Sequence, residues 1–401
     1  MGSQGLATLD VQPETNPAVD AGGLSVRRLT LTDFRCYGHQ RMDLDTRPVV
    51  LTGPNGAGKT NLLEGLSFLV PGRGLRRAKL GDIVRREQGL DAPFRPWGVA
   101  ATLDTPGGEV EIGTAYEKAP EGKRDKRIVK VDGEIAKSQS ALADHISALW
   151  LTPQMDRLFL EGPGARRRFL DRLVFDSDPA HGGRVNAYDH ALRERMRLLR
   201  DGTKDKEWLA SLEDTMATRG IAVAAARLDV ARRLSLQLAA DTGAFPSAAI
   251  EVSGTVEQWL TDGPALAAED RFRAALADDR GRDAADGRTS TGPHKSDLVV
   301  HHLGNGQAAS LCSTGEQKAL LVALVLGTAR MRAFEQGTAP LLLLDEVAAH
   351  LDSHRLEALF DEISGLGTQV WMTGTEPGLF ESLAGRAQFF NVSEATVTMA
   401  E

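Results

Sequence analysis

The sequence has only two cysteines, few aromatic residues and no long apolar run. Cys36 and Cys312 are too few for a disulfide scaffold or a cysteine metal site, which favours a reducing cytoplasm. No apolar run approaches the roughly 20 residues that a membrane helix needs, so we expect no membrane partner. Residues 1–23 lack a basic start followed by an apolar stretch, and we predict a flexible tail rather than a secretory signal.

The charge balance excludes a protein that simply coats nucleic acid. The formal net charge is −8, but it is unevenly distributed. Residues 1–200 carry 30 Lys+Arg against 26 Asp+Glu, whereas residues 201–401 carry 17 against 29. An acidic half can simply be a soluble half, yet the asymmetry leaves room for one basic face on an acidic protein.

The pattern of apolar residues predicts an α/β unit that is split along the chain by helices. The 401 residues, 42% hydrophobic, suffice for two or three domains. Short alternating stretches predict strands, which are antiparallel between Val99 and about Val131, and residues 309–313, ASLCS, predict a further strand. Gly164 to Ala240 predicts two helices broken around Asp201–Asp205. Residues 278–294 are rich in Gly and Asp and predict a linker. We therefore expect a tail (1–23), an N-terminal part of the head (24–163), a helical insertion (164–290) and a C-terminal part of the head (291–401).

Residues 53–60, GPNGAGKT, match the phosphate-loop pattern G-x-x-x-x-G-K-[ST] at every fixed position. A β-branched run precedes the motif and a helical pattern follows it, which is the context that such a loop requires. Glycines let successive backbone N–H groups curl around phosphates, and the helix start adds its positive dipole end. We predict that a nucleotide binds to Gly53, Pro54, Asn55, Gly56, Ala57, Gly58, Lys59 and Thr60, with Lys59 on the β- and γ-phosphates and Thr60 on Mg²⁺.

Four leucines lead directly into an acidic pair, Asp345 and Glu346. Such a run predicts a buried parallel strand that delivers the acids to the carboxyl edge of a sheet, where ligands bind. We expect Asp345 to hold Mg²⁺ and Glu346 to orient the attacking water. The next strand, TQVWMTGT, brings Thr373 or Thr375 near the same edge, where a hydroxyl senses the γ-phosphate unless both are ordinary strand threonines.

Residues 312–318, CSTGEQK, form a polar turn ahead of a predicted helix from Gly315 to Phe334. Ser313 is at the capping position, so an ordinary helix cap is one interpretation. Together with the phosphate loop and the acidic strand about thirty residues later, the order resembles the ABC-type ATPases. That resemblance implies that Ser313 and Gly315 contact the nucleotide bound to a second subunit.

The spacing narrows the resemblance, because roughly 250 residues separate Lys59 from Ser313. Transporter ATPases have a much shorter spacing, and SMC/Rad50-like proteins insert hundreds of heptad residues. The chain resembles the RecF family of bacterial recombination-mediator ATPases along almost its whole length. The matching blocks, in order, are LTLTDFRCY, GPNGAGKTNLLEGLSFLVPGRGLRR, LTPQMDRL, GPGARRRFLD, TGPHKSDL, CSTGEQK and LLLLDEVAAHLD.

Two segments depart from the family pattern. Ala349 and His350 stand where the family favours Ser-Glu, which removes a hydroxyl from a loop at the expected subunit contact. Gln154 stands where the family often has Glu. Gln is the residue of wider ABC relatives, and the resemblance implies that Gln154 contacts Mg²⁺ and the attacking water.

The resemblance implies an ABC-type head with an antiparallel β subdomain and a helical insertion. It further implies a cytoplasmic, DNA-dependent ATPase of DNA repair, replication and the SOS response, with ATP and Mg²⁺ as cofactors. Two subunits would close on two ATP molecules, clamp duplex DNA at gaps or junctions, and act with RecR and RecO to load RecA. An SMC-like structural protein that bridges DNA is the alternative.

Several basic residues are candidates for phosphate contacts. Arg35 is one strand away from the phosphate loop and is either a nucleotide ligand or a surface arginine. The first basic loop contains Arg73, Arg76, Arg77 and Lys79, and the second contains Lys123, Arg124, Lys126 and Arg127. Each is either a DNA-backbone site or a solvated charge run. Arg166, Arg167 and Arg168 bind DNA or pair with acids, and the sequence does not decide between the two.

Overall fold

The computed structural model describes residues 23–85, 95–120, 125–203, 205–240, 243–349 and 351–400. The strands in these ranges are β1 (Ser25–Phe34), β2 (Tyr37–Asp43), β3 (Val49–Thr52), β4 (Gly98–Thr105), β5 (Gly108–Glu117), β6 (Lys126–Val131), β7 (Glu134–Ile135), β8 (Ala148–Leu151), β9 (Ala248–Ser253), β10 (Asp297–His302), β11 (Gln307–Ala308), β12 (Leu341–Leu344), β13 (Val370–Gly374), β14 (Gln388–Ser393) and β15 (Thr396–Met399).

The helices in the same ranges are α1 (Lys59–Ser67), α2 (Pro163–Ser177), α3 (His181–Arg200), α4 (Lys206–Ala239), α5 (Thr255–Asp262), α6 (Ala265–Asp278), α7 (Arg280–Asp286), α8 (Thr314–Gln336) and α9 (Ser353–Gly365). The predicted break at 201–205 is confirmed by the gap between α3 and α4. The predicted number of two helices is wrong, because a further break between α2 and α3 at 178–180 makes three. No helix in the described ranges is long and apolar enough to cross a bilayer.

A six-stranded sheet with the order β15-β14-β3-β13-β12-β8 forms the centre of the fold. All neighbouring strands are parallel except β15, which is antiparallel to β14. The strands β3, β12 and β13 are buried along their whole length, because both faces of the sheet are covered. Alternate residues face opposite sides of the sheet. Leu342 and Leu344 therefore lie in a first apolar core, and Leu341 and Leu343 lie in a second apolar core on the other side.

A second six-stranded sheet, β2-β1-β4-β5-β6-β7, is antiparallel and packs with α1 over the second core. The predicted antiparallel strands between Val99 and Val131 are thereby confirmed as β4, β5 and β6. Three rings join this sheet to the end of α1, since Trp97 lies 5.5 Å from Phe34 and 5.2 Å from Phe68 between ring centroids. This contact fixes the helix that follows the phosphate loop against the antiparallel sheet.

The helices α3, α4 and α6 pack around a third core that contains Tyr188, Met216 and Phe272. A small sheet, β11-β10-β9, lies beside α4 and joins the helical part to the first core. The strand β9 therefore lies between the helices α4 and α5.

The predicted linker at 278–294 is wrong, because this segment contains α7 and a buried charge network. Asp283 is fully buried and accepts hydrogen bonds from Arg195 and from Ser290. Arg195, also fully buried, donates to Glu213 as well. The composition suggested a loop, but buried ion pairing gives these Asp residues a structural role. A predicted strand at Ala309–Ser313 is also wrong, since residues 309–311 form a 3₁₀ turn.

Candidate functional site

The phosphate loop connects β3 to α1 at the carboxyl edge of the parallel sheet. Gly53, Gly56 and Gly58 have φ angles of 146°, 82° and 119°. Side chains rarely adopt these angles, which explains why glycine stands at all three positions. A Cβ added at Gly56 would meet nothing within 4 Å, so the loop is open at this position.

Lys59 is the best-placed cation of this loop. It is only 4% exposed, and its Nζ donates to the carbonyl oxygens of Gly53 and Pro54 at 2.5 and 2.9 Å. Burial lowers the pKa of Lys59, while the negative charges of Glu346 and Asp345 oppose this shift. The ammonium group is therefore bound to two uncharged carbonyl oxygens of the loop, which charged phosphate oxygens can replace.

Asp345 accepts hydrogen bonds from two hydroxyl groups that belong to separate parts of the chain. Thr60 Oγ1 donates to Asp345 Oδ1 at 2.9 Å, and Thr373 Oγ1 donates to the same oxygen at 2.8 Å. Burial raises the pKa of Asp345; hydrogen bonds from Thr373 and Thr60 and the charge of Arg76 oppose this shift, whereas Glu346 adds to it. Parallel pairing of β3, β13 and β12 brings these three side chains together at one edge.

Glu346 has a backbone φ of 50°, which is rare for a residue other than glycine. Its N–H donates to Thr373 Oγ1 at 2.8 Å, and this contact holds the unusual conformation. Thr373 is fully buried, whereas Thr375 is exposed just beyond the end of β13. Of the two threonines, Thr373 is the one that contacts the acidic pair, and the role of Thr375 stays a prediction.

Gln154 lies at the same edge of the sheet. It follows β8, which pairs in parallel with β12 in the register Leu151 to Leu344. The Asp345 N–H donates to the Leu151 carbonyl at 2.9 Å, so the chain segments that lead to Gln154 and Asp345 adjoin. The side chain of Gln154 is exposed. Its contact with a metal ion stays a prediction.

The arrangement fits a magnesium nucleotide. The hydroxyl of Thr60 and the carboxylate of Asp345 are hard oxygen ligands of the kind that Mg²⁺ prefers, and they meet beside Lys59. The glycine loop ends at Gly58, the N-cap of α1, and anions are stabilised at such a helix start. Backbone N–H groups, an ammonium group and a hydroxyl–carboxylate pair therefore converge on one edge.

Arg35 does not lie free beside the loop. Its guanidinium forms two hydrogen bonds with Glu64, of 2.8 and 2.7 Å, and a third with the Asp82 carbonyl. Glu64 is fully buried on α1 and also pairs with Arg76 at 3.2 Å. Glu64 was not predicted from the sequence, although an acid one turn after Thr60 on an apolar helix is a visible signal.

Ser313 begins α8 in a capping box. Its N–H and hydroxyl both donate to Glu316 Oε2 at 2.8 Å, while the Glu316 N–H donates back to Ser313 Oγ. These bonds lower the pKa of Glu316. Ser313 is exposed, and a Cβ added at Gly315 would meet nothing within 4 Å. The turn therefore offers a hydroxyl and a bare backbone to the outside.

Lys318, at the end of CSTGEQK, connects this turn to the acidic loop. Its Nζ donates to the carbonyl oxygens of Glu346 and Ala349, the first at 3.4 Å, and lies 3.7 Å from Asp156. Burial lowers the pKa of Lys318. This contact of Lys318 was not predicted from the sequence, although a basic residue at the start of an apolar helix is a visible signal. His350, named with Ala349 above, lies outside the described residues.

The first basic loop divides into paired and unpaired residues. Arg76 donates to Asn61 and Glu64, so its guanidinium is turned towards α1. Arg73, Arg77 and Lys79 are exposed, and their side chains have no hydrogen bond or ion pair with the described residues. Desolvation lowers the pKa of Arg77, and the charges of Arg168 and Arg73 lower it further.

The second basic loop is only partly described, since Lys123 and Arg124 lie outside the described residues. Lys126 is exposed at the start of β6. Arg127 donates to the carbonyl of Gly72 at 2.8 Å and to Thr114 Oγ1 at 2.7 Å. Burial lowers the pKa of Arg127 to about 10. Arg127 thus anchors the base of the first loop.

The three consecutive arginines on α2 behave differently from one another. Arg166 forms two hydrogen bonds of 2.7 Å with Asp297. Arg167 donates to the Ser296 carbonyl at 2.6 Å. Arg168 is exposed and has no side-chain partner among the described residues. Two of them therefore bind α2 to the segment before β10, and one is available to other molecules.

Comparisons with known proteins agree with this arrangement. The family model described as the RecF/RecN/SMC N terminal domain matches residues 25–398. The DNA replication and repair protein RecF of Rhizobium etli is 50% identical over 376 residues, which cover 93% of this chain and 98% of that protein. The RecF protein of Mesorhizobium japonicum is 49% identical over 379 residues, covering 94% and 98%.

Solved structures share the fold. The recombination mediator protein RecF with ATP, described as part of the RecFOR pathway, has a TM-score of 0.80 at 21% identity and covers 95% of this chain and 98% of its own. The Smc head domain of Pyrococcus furiosus has a TM-score of 0.52 at 15% identity, covering 94% and 96%. The predicted fold class, an ABC-type ATPase head with an antiparallel β subdomain and a helical insertion, is confirmed.

Proposed function

This chain belongs to the RecF family, and on that premise we propose that it is a DNA-binding ABC-type ATPase of recombinational repair. The observation that carries the proposal is the hydrogen bond of 2.9 Å between Thr60 and Asp345. It joins the phosphate loop to the acidic strand from residues 285 positions apart in sequence, beside the buried Lys59. The relatives are named DNA replication and repair proteins, which supports a role on DNA.

Each residue of the site has a distinct task in this proposal. The N–H groups of the glycine loop and Lys59 bind the phosphates of ATP, and Lys59 exchanges its carbonyl partners for phosphate oxygens. Thr60, Asp345 and Gln154 hold Mg²⁺, which neutralises charge on the phosphates when it is bound. Glu346 positions the attacking water. Its left-handed backbone conformation sets the direction in which the side chain leaves the chain.

The turn at Ser313 completes the nucleotide site of a second copy of the chain. Its hydroxyl and the bare backbone of Gly315 face outwards at a helix start, which is suited to a phosphate. Two chains thus bind two ATP molecules in a homodimer. ATP binding joins the two chains and ATP hydrolysis releases them. ATP therefore acts as a conformational switch and does not drive the synthesis of a chemical product. Arg35 and Thr375 are further candidates for nucleotide contact.

DNA binds, in this proposal, to the unpaired residues of the first basic loop. Arg73, Arg77 and Lys79 contact the backbone of duplex DNA, and Arg76 joins that loop to α1. The dimer clamps DNA at gaps or junctions and acts with RecR and RecO to load the recombinase. A solved relative described as part of the RecFOR pathway supports this assignment.

The experiment is to measure dimerisation with ATP, and the rate of ATP hydrolysis with and without duplex DNA. We compare the native chain with Glu346→Gln and Ser313→Arg. Glu346→Gln should accumulate an ATP-bound dimer, and Ser313→Arg should prevent it. A native protein that stays monomeric with ATP and ignores DNA at low salt would contradict the clamp.

The alternative, a structural protein that bridges DNA in the manner of SMC proteins, is less well supported. The helices α3 and α4 span 20 and 34 residues, too short for an extended coiled-coil arm. A bridging protein would hold two duplexes together with ATP bound, and a pull-down of one labelled duplex by another would detect this.

A further inference from the structure

Cys36 lies in the turn between β1 and β2, directly against the phosphate loop. Its Sγ accepts a hydrogen bond of 3.1 Å from the side-chain amide of Asn61, the residue after Thr60. A Cβ added at Gly58 would lie 3.0 Å from Cys36 Sγ. Cys36 is half-buried, whereas the other cysteine, Cys312, is only 7% exposed. A small reagent therefore has access to a thiol that touches the loop.

A second, independent observation concerns the neighbouring residue. Tyr37 is 1% exposed, and its hydroxyl has no hydrogen-bond partner among the described residues. A buried hydroxyl without a partner is costly and calls for an explanation. The same added Cβ at Gly58 would lie 2.6 Å from Tyr37 Oη. The thiol and the unpaired hydroxyl thus face one point beside Gly58, where one further oxygen atom would find a donor.

We propose that Cys36 is an oxidation site at which a hydroperoxide produces a sulfenic acid, and that this oxygen closes the phosphate loop to nucleotide. The sulfenic oxygen accepts a hydrogen bond from the Tyr37 hydroxyl. The regulatory part of the inference rests on the proposed function, since it requires that the loop binds ATP. The oxidation itself does not.

The reaction balances with the hydroperoxide as the only co-reactant. The sulfur of Cys36 attacks one peroxide oxygen, a new S–O bond forms and the O–O bond breaks. The thiol proton goes to the departing oxygen, which leaves as water or an alcohol. Sulfur loses two electrons and the peroxide gains them. A thiol reductant restores Cys36, because sulfenic acids condense with thiols to disulfides that further thiol reduces.

The consequence for the loop follows from the crowding at Gly58. We place the sulfenic oxygen between Cys36 Sγ and Tyr37 Oη, beside Gly58, where an added Cβ would lie only 3.0 and 2.6 Å from these two atoms. Gly58 precedes α1 with a φ of 119°. In the proposed function, the N–H groups of this loop bind the phosphates of ATP. Oxidation therefore displaces the backbone on which nucleotide binding depends, and it also removes the contact from Asn61.

The test treats the full-length native protein with hydrogen peroxide. Dimedone trapping with peptide mass spectrometry locates the sulfenic acid, and a fluorescent ATP analogue with Mg²⁺ reports the dissociation constant. We expect trapping at Cys36 and a dissociation constant raised about tenfold or more. Dithiothreitol should restore the original affinity.

Two variants control the test. In Cys36→Ser, peroxide should change the dissociation constant by less than about twofold, which excludes effects through Cys312 or methionine. Tyr37→Phe should bind ATP like the native protein before treatment but give several-fold less trapped sulfenic acid, because the oxygen has lost its donor.

The outcomes separate the two levels of the argument. Absence of trapping at Cys36, an equal loss of affinity in Cys36→Ser, or oxidation at Cys36 with unchanged affinity overturns the inference. If the untreated native protein binds no nucleotide, the proposed function fails and the regulatory role fails with it. Trapping at Cys36 alone then confirms only the oxidation site.

Discussion

The phosphate loop and the polar turn at Ser313 (residues 312–318, called the signature turn below) lie at the starts of two helices, yet their surroundings differ. Around the loop, contacts join distant parts of the chain, as when Thr60 and Thr373 both donate to Asp345. The side chain of Ser313 bonds, among the described residues, only with Glu316, three residues away, and Glu316 accepts one further hydrogen bond of 3.4 Å from the nearby Asn305. One region is already packed against its own chain, whereas the other exposes its polar groups.

In the proposed dimer, each region supplies a different half of a nucleotide site. A helix start whose hydroxyl bonds only its own first turn is a complete cap, so its own chain gains nothing more from it. In our proposal, the exposed hydroxyl of Ser313 and the open backbone at Gly315 contact the nucleotide of a second chain. The buried Lys318 then connects the outward-facing turn to the loop after Asp345, so that the two regions are coupled within one chain.

The largest effect on stability should come from the inward-facing side of the comparison. Thr373→Val removes the hydroxyl that bonds both Asp345 and the Glu346 N–H, and it leaves a buried donor unpaired. We expect a loss of about 1–3 kcal/mol in unfolding free energy, measured by urea denaturation. Thr375→Val is the matched control and should change stability by no more than about 0.5 kcal/mol, because Thr375 is exposed. Equal losses would break the comparison.

A smaller effect tests the same contrast in the first basic loop. Replacing both Arg73 and Arg77 with Ala should weaken duplex binding about tenfold at low salt. The slope of log affinity against log salt should fall by about 2, with the melting temperature unchanged. Arg166→Ala is the control, since Arg166 is paired with Asp297, and it should lower the melting temperature instead. DNA binding unchanged in the double variant would exclude this loop.

The smallest effect concerns the protonation of Asp345. Burial raises its pKa in the folded protein, so its ionisation destabilises the fold as pH rises through the interval above the unfolded value. In buffer without nucleotide or magnesium, Asp345→Asn should raise the melting temperature near pH 7. The advantage should shrink towards acid pH, where the native carboxyl is protonated. An advantage independent of pH would contradict this sign.

Much of the fold and of the nucleotide edge could be predicted from the sequence, because strict spacing and buried runs encode them. The phosphate loop, the four leucines of β12 and the helix after Ser313 have strong local signals. Contacts that depend on packing between distant segments have no such local signal and could not be predicted. Neither the pairing of Arg35 with Glu64 nor the buried Asp283 in a Gly- and Asp-rich segment has a local pattern.

The same limit applies to the choice between similar neighbours. Thr373 and Thr375 share one face of a strand in the sequence pattern, and only the end of β13 decides which of them is buried. Arg166, Arg167 and Arg168 look equivalent, yet the position of Asp297 determines that the first is paired. Tertiary packing, rather than residue type, separates structural from available side chains.

The central claim is that Ser313 completes the site of a second chain, and a mixture of two inactive variants tests it most directly. Lys59→Ala disables the phosphate loop, and Ser313→Arg disables the signature turn. If the two regions act across subunits, a mixed dimer contains one intact site, and ATP hydrolysis should return in the mixture although each variant alone is inactive. A mixture that stays as inactive as its components would contradict the account.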